Sequence, residues 1–581
     1  MKKALALLLA LAMTASFAFT GCGSEEEGTS TEGNTETTEG TTTEGTETTD
    51  AAASGSSKGV KSSEISGSIL MWNVGADSKT LDPTLNSTVD GGHVIFNTFE
   101  GLMRDKSDGN GSQPAMAEAE PTIVENEDGT VTYTFTLRDA KWSDGQPVKA
   151  QDFVFSWQRA VDPMTASEYA YIMSPILNAD EITAGEKDKS ELGVKAVDDK
   201  TLEVTLKQPC GYFEQLLDFP TYMPLREDII GADTDGLWAK DPDKSISNGP
   251  FTLVGYTMGQ EFVLAKNANY WNAENVKIDY IVAQMISDQS TCLTAFNNGE
   301  LYIGDNCVPN EEIQQLVAAG SLQIMPYIGT SFFVINAQTE IEALQDQKVR
   351  QALSMAIDRK SIVENVTGAG EKVALGYVPY GFTDADGNDF RETAGNYYLA
   401  ETAQVEAAQA LLAEAGYPNG EGIPQLEIVY NTSDSLKALA EAIQEMWKTN
   451  LGIDVKLSNQ EWAVFQDTRQ NLTYSSIARH GWVGDYLDPQ TFLDMFVTGN
   501  LQSGNGYSNT EYDKAIETAL SSSGKERYDA FYQAEEILMN DAYIIPLYFN
   551  VNKVLVNNEK VTGWTLSPMG KFWFGDAEVI A

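Results

Sequence analysis

Two kinds of hydrophobic pattern run along this chain and predict two kinds of element. Alternation of apolar and polar residues, which is typical of half-buried strands, recurs in TVTYTFTLR (130–138), KTLEVTLKQ (200–208), FTLVGY (251–256) and EFVLAKN (261–267). Apolar residues three or four positions apart, which are typical of helices, occur in QDQKVRQALSMAIDRKSIVENV (345–366) and VEAAQALLAEAGYP (405–418). Strands and helices mixed over about five hundred residues indicate an α/β protein.

The first residues carry a secretion pattern. Lys2 and Lys3 precede an apolar run from Ala4 to Phe19, which is too short to span a bilayer and predicts a signal peptide over residues 1–21. The following Cys22 completes FTGC, which is similar to the lipobox of bacterial lipoproteins, although Phe19 stands where Leu is usual. We therefore expect an extracytoplasmic lipoprotein anchored to the cell membrane at Cys22. An ordinary signal peptide with an incidental cysteine is the alternative.

Residues 22–63 predict a disordered acidic tether, because they contain no aromatic residue and cannot bury enough surface to offset the entropy of ordering. The whole chain has 38 Lys and Arg against 85 Asp and Glu, for a formal net charge of −47. Such an excess of acid argues against nucleic acid or an anionic membrane surface as a partner, since phosphates are repelled.

Cysteine and histidine are sparse. Cys292 and Cys307 flank an apparent helix, turn and strand, which makes a disulfide possible, and two separate buried thiols are the alternative. Cys210 is left over. With only His93 and His480, and without GxSxG, HExxH or P-loop motifs, the sequence predicts no enzyme, no cofactor and no metal site.

The stretch DAKWSDGQPVKAQDFVFSWQRAVDPMTASEYA (139–170) resembles the signature segment of extracellular oligopeptide-binding proteins of ABC importers. Further segments match that family in order up to the C-terminus: LDPTLNSTV (81–89), FNTFEGLM (96–103), NGPFTLVGY (248–256), ANYWNAENVKID (268–279), LSNQEWAVFQDTRQ (457–470) and RHGWVGDYLDP (479–489). The resemblance implies a type II periplasmic-binding-protein-like fold with two lobes, a hinge and an extra third domain. It places lobe I in residues 64–99, 226–328 and 552–581, the extra domain II in residues 100–225, and lobe III in residues 329–551.

The resemblance also implies a function. The chain would be a monomeric, lipid-anchored receptor that binds extended oligopeptides through their backbone and termini and delivers them to the permease subunits of an ABC importer. Dipeptides, a peptide pheromone or a small non-peptide ligand are alternative cargoes. They stay open because Thr367 and Leu436 replace a lysine and a histidine of the family.

The residues that match the family's ligand site fall into three groups. The ligand would run beside Gly481, Trp482 and Val483 on one side and Ser87, Thr88 and Val89 on the other. The acid that pairs with the ligand α-ammonium corresponds to Asp485, and Arg479 and Arg469 correspond to the residues that bind the ligand carboxylate at different peptide lengths. The pocket aromatics correspond to Trp462 and Tyr169. A turn acid, ordinary salt bridges and core aromatics are the respective structural alternatives.

Overall fold

The computed structural model describes residues 56–106, 111–231, 233, 235–305 and 307–580. The predicted signal peptide, Cys22 and the tether up to residue 55 lie outside the described residues. Within the described ranges, no helix is both long and apolar enough to cross a membrane.

The strands are β1 (Ser57–Gly59), β2 (Ile69–Asn73), β3 (Met103–Asp105), β4 (Ser112–Pro114), β5 (Thr122–Glu125), β6 (Val131–Thr136), β7 (Val194–Ala196), β8 (Thr201–Leu206), β9 (Phe251–Thr257), β10 (Glu261–Lys266), β11 (Tyr280–Gln284), β12 (Ile303–Asp305), β13 (Leu322–Ile335), β14 (Lys372–Val373), β15 (Leu426–Asn431), β16 (Val455–Gln460), β17 (Ile477–Val483), β18 (Ile544–Val556), β19 (Val561–Thr562), β20 (Thr565–Leu566), β21 (Phe572–Trp573) and β22 (Glu578–Val579). The helices are α1 (Val89–Thr98), α2 (Ala150–Val161), α3 (Ala179–Thr183), α4 (Phe213–Leu216), α5 (Glu227–Ile230), α6 (Gln289–Asn297), α7 (Ile313–Ala319), α8 (Glu342–Gln345), α9 (Gln347–Met355), α10 (Arg359–Ser361), α11 (Phe390–Ala394), α12 (Val405–Glu414), α13 (Asp434–Leu451), α14 (Trp462–Gln470), α15 (Gln490–Leu493), α16 (Thr510–Ser521) and α17 (Gly524–Asp541).

The predicted elements are confirmed. The four alternating segments form β6, β8, β9 and β10, and the second helical segment forms α12. The first helical segment is interrupted. After α9, Asp358 accepts a hydrogen bond from the amide of Ser361 and starts α10, which continues as a short π-helix over Ile362–Thr367.

A twelve-stranded sheet runs through the molecule in the order β1-β9-β10-β11-β2-β12-β18-β13-β17-β15-β16, with β14 beside β18. The long antiparallel strands β13 and β18 lie at its centre. Their register breaks between Pro326 and Thr330, so one end of the pair belongs to the β12 side of the sheet and the other end to the β17 side.

Part of the segment predicted to be tether forms a strand. Residues up to 63 were expected to lie in the tether, but Ser57–Gly59 forms β1 and pairs antiparallel with β9. The side chains of this strand are all exposed, so the pairing depends on backbone hydrogen bonds and needs no apolar residue. Gly59 is required there, because a Cβ would lie 2.2 Å from the carbonyl oxygen of Val254.

A separate four-stranded sheet, in the order β5-β6-β8-β7, lies within the predicted extra domain. Helix α2 packs against it, with Trp157 fully buried and its indole N–H donating to the carbonyl of Tyr222. The structure also joins Cys292 and Cys307 in a disulfide, with the Cα atoms 5.2 Å apart, and leaves Cys210 as a free thiol.

A buried ion pair fixes helix α2 to the loop before α1. Arg159 donates two hydrogen bonds to the carboxylate of Asp82, at 2.9 and 2.8 Å, and the indole of Trp238 donates a third at 2.9 Å. Because the carboxylate is fully buried, its charge depends on these donors.

We therefore predict that Arg159→Met lowers the free energy of unfolding by about 3–5 kcal/mol, since it leaves the buried carboxylate of Asp82 without its ion-pair partner. Urea unfolding followed by circular dichroism measures the change. The matched control is Lys195→Met, which removes the solvent-exposed ion pair with Glu203 and should cost less than about 1 kcal/mol. Similar losses for the two variants would contradict a structural role for the buried pair.

Candidate functional site

A cavity between β17, the loop before α1 and the C-terminal segment contains about 910 Å³ of space free of protein atoms, including its open mouth. All eleven residues that the sequence analysis predicted to bind ligand line it: Ser87, Thr88, Val89, Tyr169, Trp462, Arg469, Arg479, Gly481, Trp482, Val483 and Asp485. The fold thus brings together residues from four distant parts of the chain. Whether they contact a ligand stays a prediction.

Strand β17 presents an open backbone edge to this cavity. On one side it pairs with β13 along its whole length, from Ile477 to Val483. On the other side β15 pairs with it only at Ile477 and Ala478. The amide of Gly484 donates to Ile328 on the β13 side, so the alternation of an antiparallel ladder turns the backbone groups of Arg479, Gly481 and Val483 the other way. Of these groups, the amide of Gly481 donates to Nδ1 of its neighbour His480 at 2.8 Å. An extended ligand can add to this edge as a strand.

One end of the edge carries a carboxyl group without a basic partner. Asp485 forms no ion pair with a described residue, and its backbone amide donates to the hydroxyl of Thr491 at 2.9 Å. Burial raises the pKa of Asp485 to about 8, and the nearby ammonium of Lys571 and the hydroxyl of Thr491 offset only part of that rise. Lys571 is itself held by Asp105 at 2.9 Å and Asp218 at 3.2 Å. The Asp485 carboxyl therefore lacks a cation to stabilise its charged form.

The other end of the edge carries two guanidinium groups. Neither Arg469 nor Arg479 forms an ion pair with a described residue. Burial, followed by the neighbouring charge of Arg479, lowers the pKa of Arg469 to about 10. Burial also lowers the pKa of Arg479. Both side chains stay positively charged at neutral pH, so this end of the cavity favours an anion.

Flat aromatic rings form the walls between the two ends. The indole of Trp482 and the ring of Tyr169 are nearly parallel, at 12°, with their centroids 6.5 Å apart. Trp482 is held by its N–H, which donates to the carbonyl of Thr491 at 2.7 Å, and Tyr169 packs on Phe219 at 4.9 Å. Trp462 lines the cavity from the first turn of α14. Such walls accept many side chains, because their contact is apolar and non-directional.

Five polar residues of the cavity were not among the predicted ligand residues: Asn86, Gln466, His480, Gln502 and Lys571. Gln466 lies on α14 four residues after Trp462 and three before Arg469, so the helical spacing of the sequence could have placed it on the same face. Gln502 comes from a loop and Lys571 from the C-terminal segment, and no pattern in the sequence marks either of them.

The residues after Asp485 hold two parts of the molecule together. The ring of Tyr486 stacks on that of Tyr212, with centroids 4.3 Å apart, and the Tyr212 hydroxyl donates to Gln490 at 2.8 Å. The amide of Leu487 donates to the side chain of Gln215 at 2.7 Å. Asp488 accepts two hydrogen bonds from Arg527, at 2.7 and 2.8 Å, which gives it the structural role of a turn acid.

Comparison with known proteins identifies the family. Residues 112–504 match the sequence profile of the bacterial extracellular solute-binding proteins, family 5, middle region. The chain belongs to that family. The match covers more than half of the chain and contains eight of the eleven predicted ligand residues, all but Ser87, Thr88 and Val89.

Relatives of this family 5 protein are similar over most of their length. It is 35% identical to the dipeptide-binding protein DppE of Bacillus subtilis over 505 residues, which cover 86% of this chain and 90% of the relative. It is 36% identical over 521 residues to the oligopeptide-binding protein OppA of the same organism, with 87% and 92% covered. The solved structure of OppA from Listeria monocytogenes bound to peptide has a TM-score of 0.80 and 32% identity, and covers 89% of this chain and all of that one.

The raised pKa of Asp485 predicts that the stability of the ligand-free family 5 protein depends on pH. The folded pKa is about 8, whereas an unfolded Asp titrates near 3.9. Between these values the folded state holds a proton that the unfolded state has lost, so stability falls as the pH rises from about 4 to about 8. Asp485→Asn removes this loss. We expect the melting temperature of the ligand-free variant to match wild type near pH 4 and to exceed it increasingly up to pH 8. If the melting temperatures of the two proteins changed with pH in parallel, the prediction of a buried carboxyl without a counter-charge would be wrong.

Proposed function

We propose that this chain is an extracytoplasmic receptor that binds extended oligopeptides through their backbone and both termini and delivers them to an ABC importer. The observation that carries the proposal is the arrangement of charge along an open strand edge. Asp485, which has no basic partner among the described residues, stands at one end, and the guanidinium groups of Arg469 and Arg479, which form no ion pair with those residues, stand at the other. A peptide zwitterion supplies the opposite charge at each end and backbone amides in between.

The separation of the two ends favours oligopeptides over dipeptides. Arg479 and Asp485 are six positions apart in the chain, which corresponds to roughly 20 Å of extended strand. An extended dipeptide spans only about 7 Å. The long arginine side chains shorten the gap, and a peptide of several residues fills the remainder.

Dipeptides are the second candidate cargo, because the dipeptide-binding DppE of Bacillus subtilis is as similar to this chain as OppA of the same organism. Incubation with a mixed peptide pool, followed by mass spectrometry of the bound fraction, separates the two. Recovery of dipeptides alone would overturn the oligopeptide assignment.

We also propose that the lobes follow the family's division, with lobe I in residues 64–99, 226–328 and 552–581, domain II in 100–225 and lobe III in 329–551. The protein acts as a monomer and has no enzymatic activity. Its lipid anchor is Cys22, after removal of a signal peptide over residues 1–21, and the acidic segment that follows is a tether.

The role of Asp485 is tested with two peptides and two proteins. Asp485→Asn should weaken binding of a free-amine peptide by about 2–4 kcal/mol, because the variant leaves a buried ammonium without a counter-charge. The same peptide with an acetylated N-terminus should bind wild type poorly and be affected much less by the substitution. Titration calorimetry measures all four combinations.

A matched control is Asp494→Asn. Asp494 is another carboxyl whose pKa burial raises, to about 7, but it lines a different cavity beside Tyr212 and Arg527. Its variant should bind both peptides as wild type does. If Asp485→Asn weakened both peptides equally, the ammonium site would lie elsewhere.

The lipid anchor predicts that Cys22→Ala abolishes acylation, since no thiol remains at the FTGC site. We expect the variant in the soluble extracytoplasmic fraction, and wild type in the membrane fraction with an acylated N-terminal cysteine by mass spectrometry. Membrane association that is unchanged in Cys22→Ala would refute the lipoprotein assignment.

A further inference from the structure

Three buried polar atoms at the guanidinium end of the cavity have no hydrogen-bond partner in the part of the chain that the structure describes. They are Nε of Arg469, Nε2 of Gln502 and Oε1 of Gln466, and all three residues line the cavity wall. Buried polar groups in folded proteins are nearly always bonded, so each exception calls for an explanation. Their shared position indicates a bound group that supplies the missing bonds.

The side chains at this end of the cavity are buried and tightly packed. Arg469 and Gln502 are each only 5% exposed, so neither is an ordinary surface residue. The side chain of Arg469 passes over Gly504, where a Cβ would lie 2.7 Å from its Cγ. The ring of His480 on β17 lies 2.9 Å from the carbonyl of Gln502 and fixes the 501–503 turn beside the guanidinium groups.

The two positive charges at this end exceed the single negative charge that the C-terminus of a peptide brings. Glu168 is the one carboxylate among the electrostatic neighbours of Arg469, but it accepts a hydrogen bond from Gln470 at 2.8 Å and lies 3.8 Å from the ammonium of Lys79. The groups that act on the charge of Arg479 are the phenols of Tyr548 and Tyr327. Two guanidinium charges therefore face one cavity, whereas the terminus of a peptide brings a single carboxylate.

We propose that Arg469 and Arg479 bind two carboxylates of one ligand at the same time, so that the receptor prefers peptides with an acidic side chain near the C-terminus. Arg479 binds one carboxylate. Arg469 binds the other, with Gln502 as a second donor, and the amide of Gln466 bonds the adjoining ligand backbone. This inference rests on the proposed function and names the class of peptide that the site takes.

The physical reason is the cost of a buried charge without a partner. A neutral peptide neutralises one guanidinium group and leaves the other unpaired and desolvated, which is unfavourable. An acidic side chain removes that penalty and forms a charge-assisted hydrogen bond with the fork of Arg469. The preference thus depends on Arg469 and on the carboxylate, and is independent of the ammonium end.

The test uses two isosteric peptide pairs, Ala-Ala-Glu with Ala-Ala-Gln, and Ala-Glu-Ala with Ala-Gln-Ala. In wild type, we expect the Glu peptide of at least one pair to bind at least tenfold more tightly than its Gln partner by titration calorimetry. In Arg469→Met, which keeps the length of the aliphatic chain, that ratio should fall below about twofold while the Gln peptides still bind. Gln502→Leu should lower the ratio to a value between those of wild type and Arg469→Met.

Asp485→Asn serves as the control, since it should weaken both members of a pair and leave their ratio unchanged. The ratio in wild type should also persist at high salt, because a buried pair is screened little. Equal binding of Glu and Gln peptides by wild type would overturn the inference and leave the proposed function standing. A ratio that survives in Arg469→Met would overturn it as well. Failure of wild type to bind any of the four peptides would count against the proposed function itself.

Discussion

A charge that leaves water must find a partner, and this constraint organises the whole structure. The acid–base pairs of the interior satisfy it internally, as Arg159 does for Asp82 and Arg391 does for the buried Glu535. The cavity satisfies it only in part. Burial raises the pKa of Asp485 at one end and lowers the pKa of both arginines at the other, and none of the three forms an ion pair with a described residue. Selectivity for a peptide then follows from what the protein leaves unpaired.

The fold keeps these groups apart at a fixed spacing. Because β17 pairs with β13 along its whole length, Arg479 and the residues up to Val483 sit on a rigid strand, while the early departure of β15 leaves the opposite edge free. Arg469 belongs to the helix α14 and is locked by its passage over Gly504. The spacing between the two charged ends is therefore set by one paired strand and the helix beside it.

Sequence reasoning predicted the parts of the molecule that have a local pattern. The alternating strands β6, β8, β9 and β10 and the helix α12 could be predicted because one face of each is buried. Strand β1 could not be predicted, because its backbone pairing with β9 requires no particular side chains in Ser57–Gly59. The cavity residues were collected from a family resemblance rather than from any pattern in the chain. Gln502 and Lys571 were not predicted as cavity residues, because their positions depend on the tertiary packing of loops, which no spacing in the sequence indicates.

The stretch after β17 links the ligand site to the contact between two parts of the chain. Asp485 faces the cavity, whereas Tyr486 and Leu487, the next two residues, bind Tyr212 and Gln215 of the 100–225 segment. A ligand ammonium that fixes Asp485 therefore also fixes the segment on which those contacts depend. Conversely, the stack of Tyr486 on Tyr212 restricts Asp485 to positions from which it can reach a ligand. The proposed ammonium contact and the contacts of Tyr486 and Leu487 thus act on the same few residues, and a ligand changes a conformational equilibrium only through such a difference in interaction between the two states.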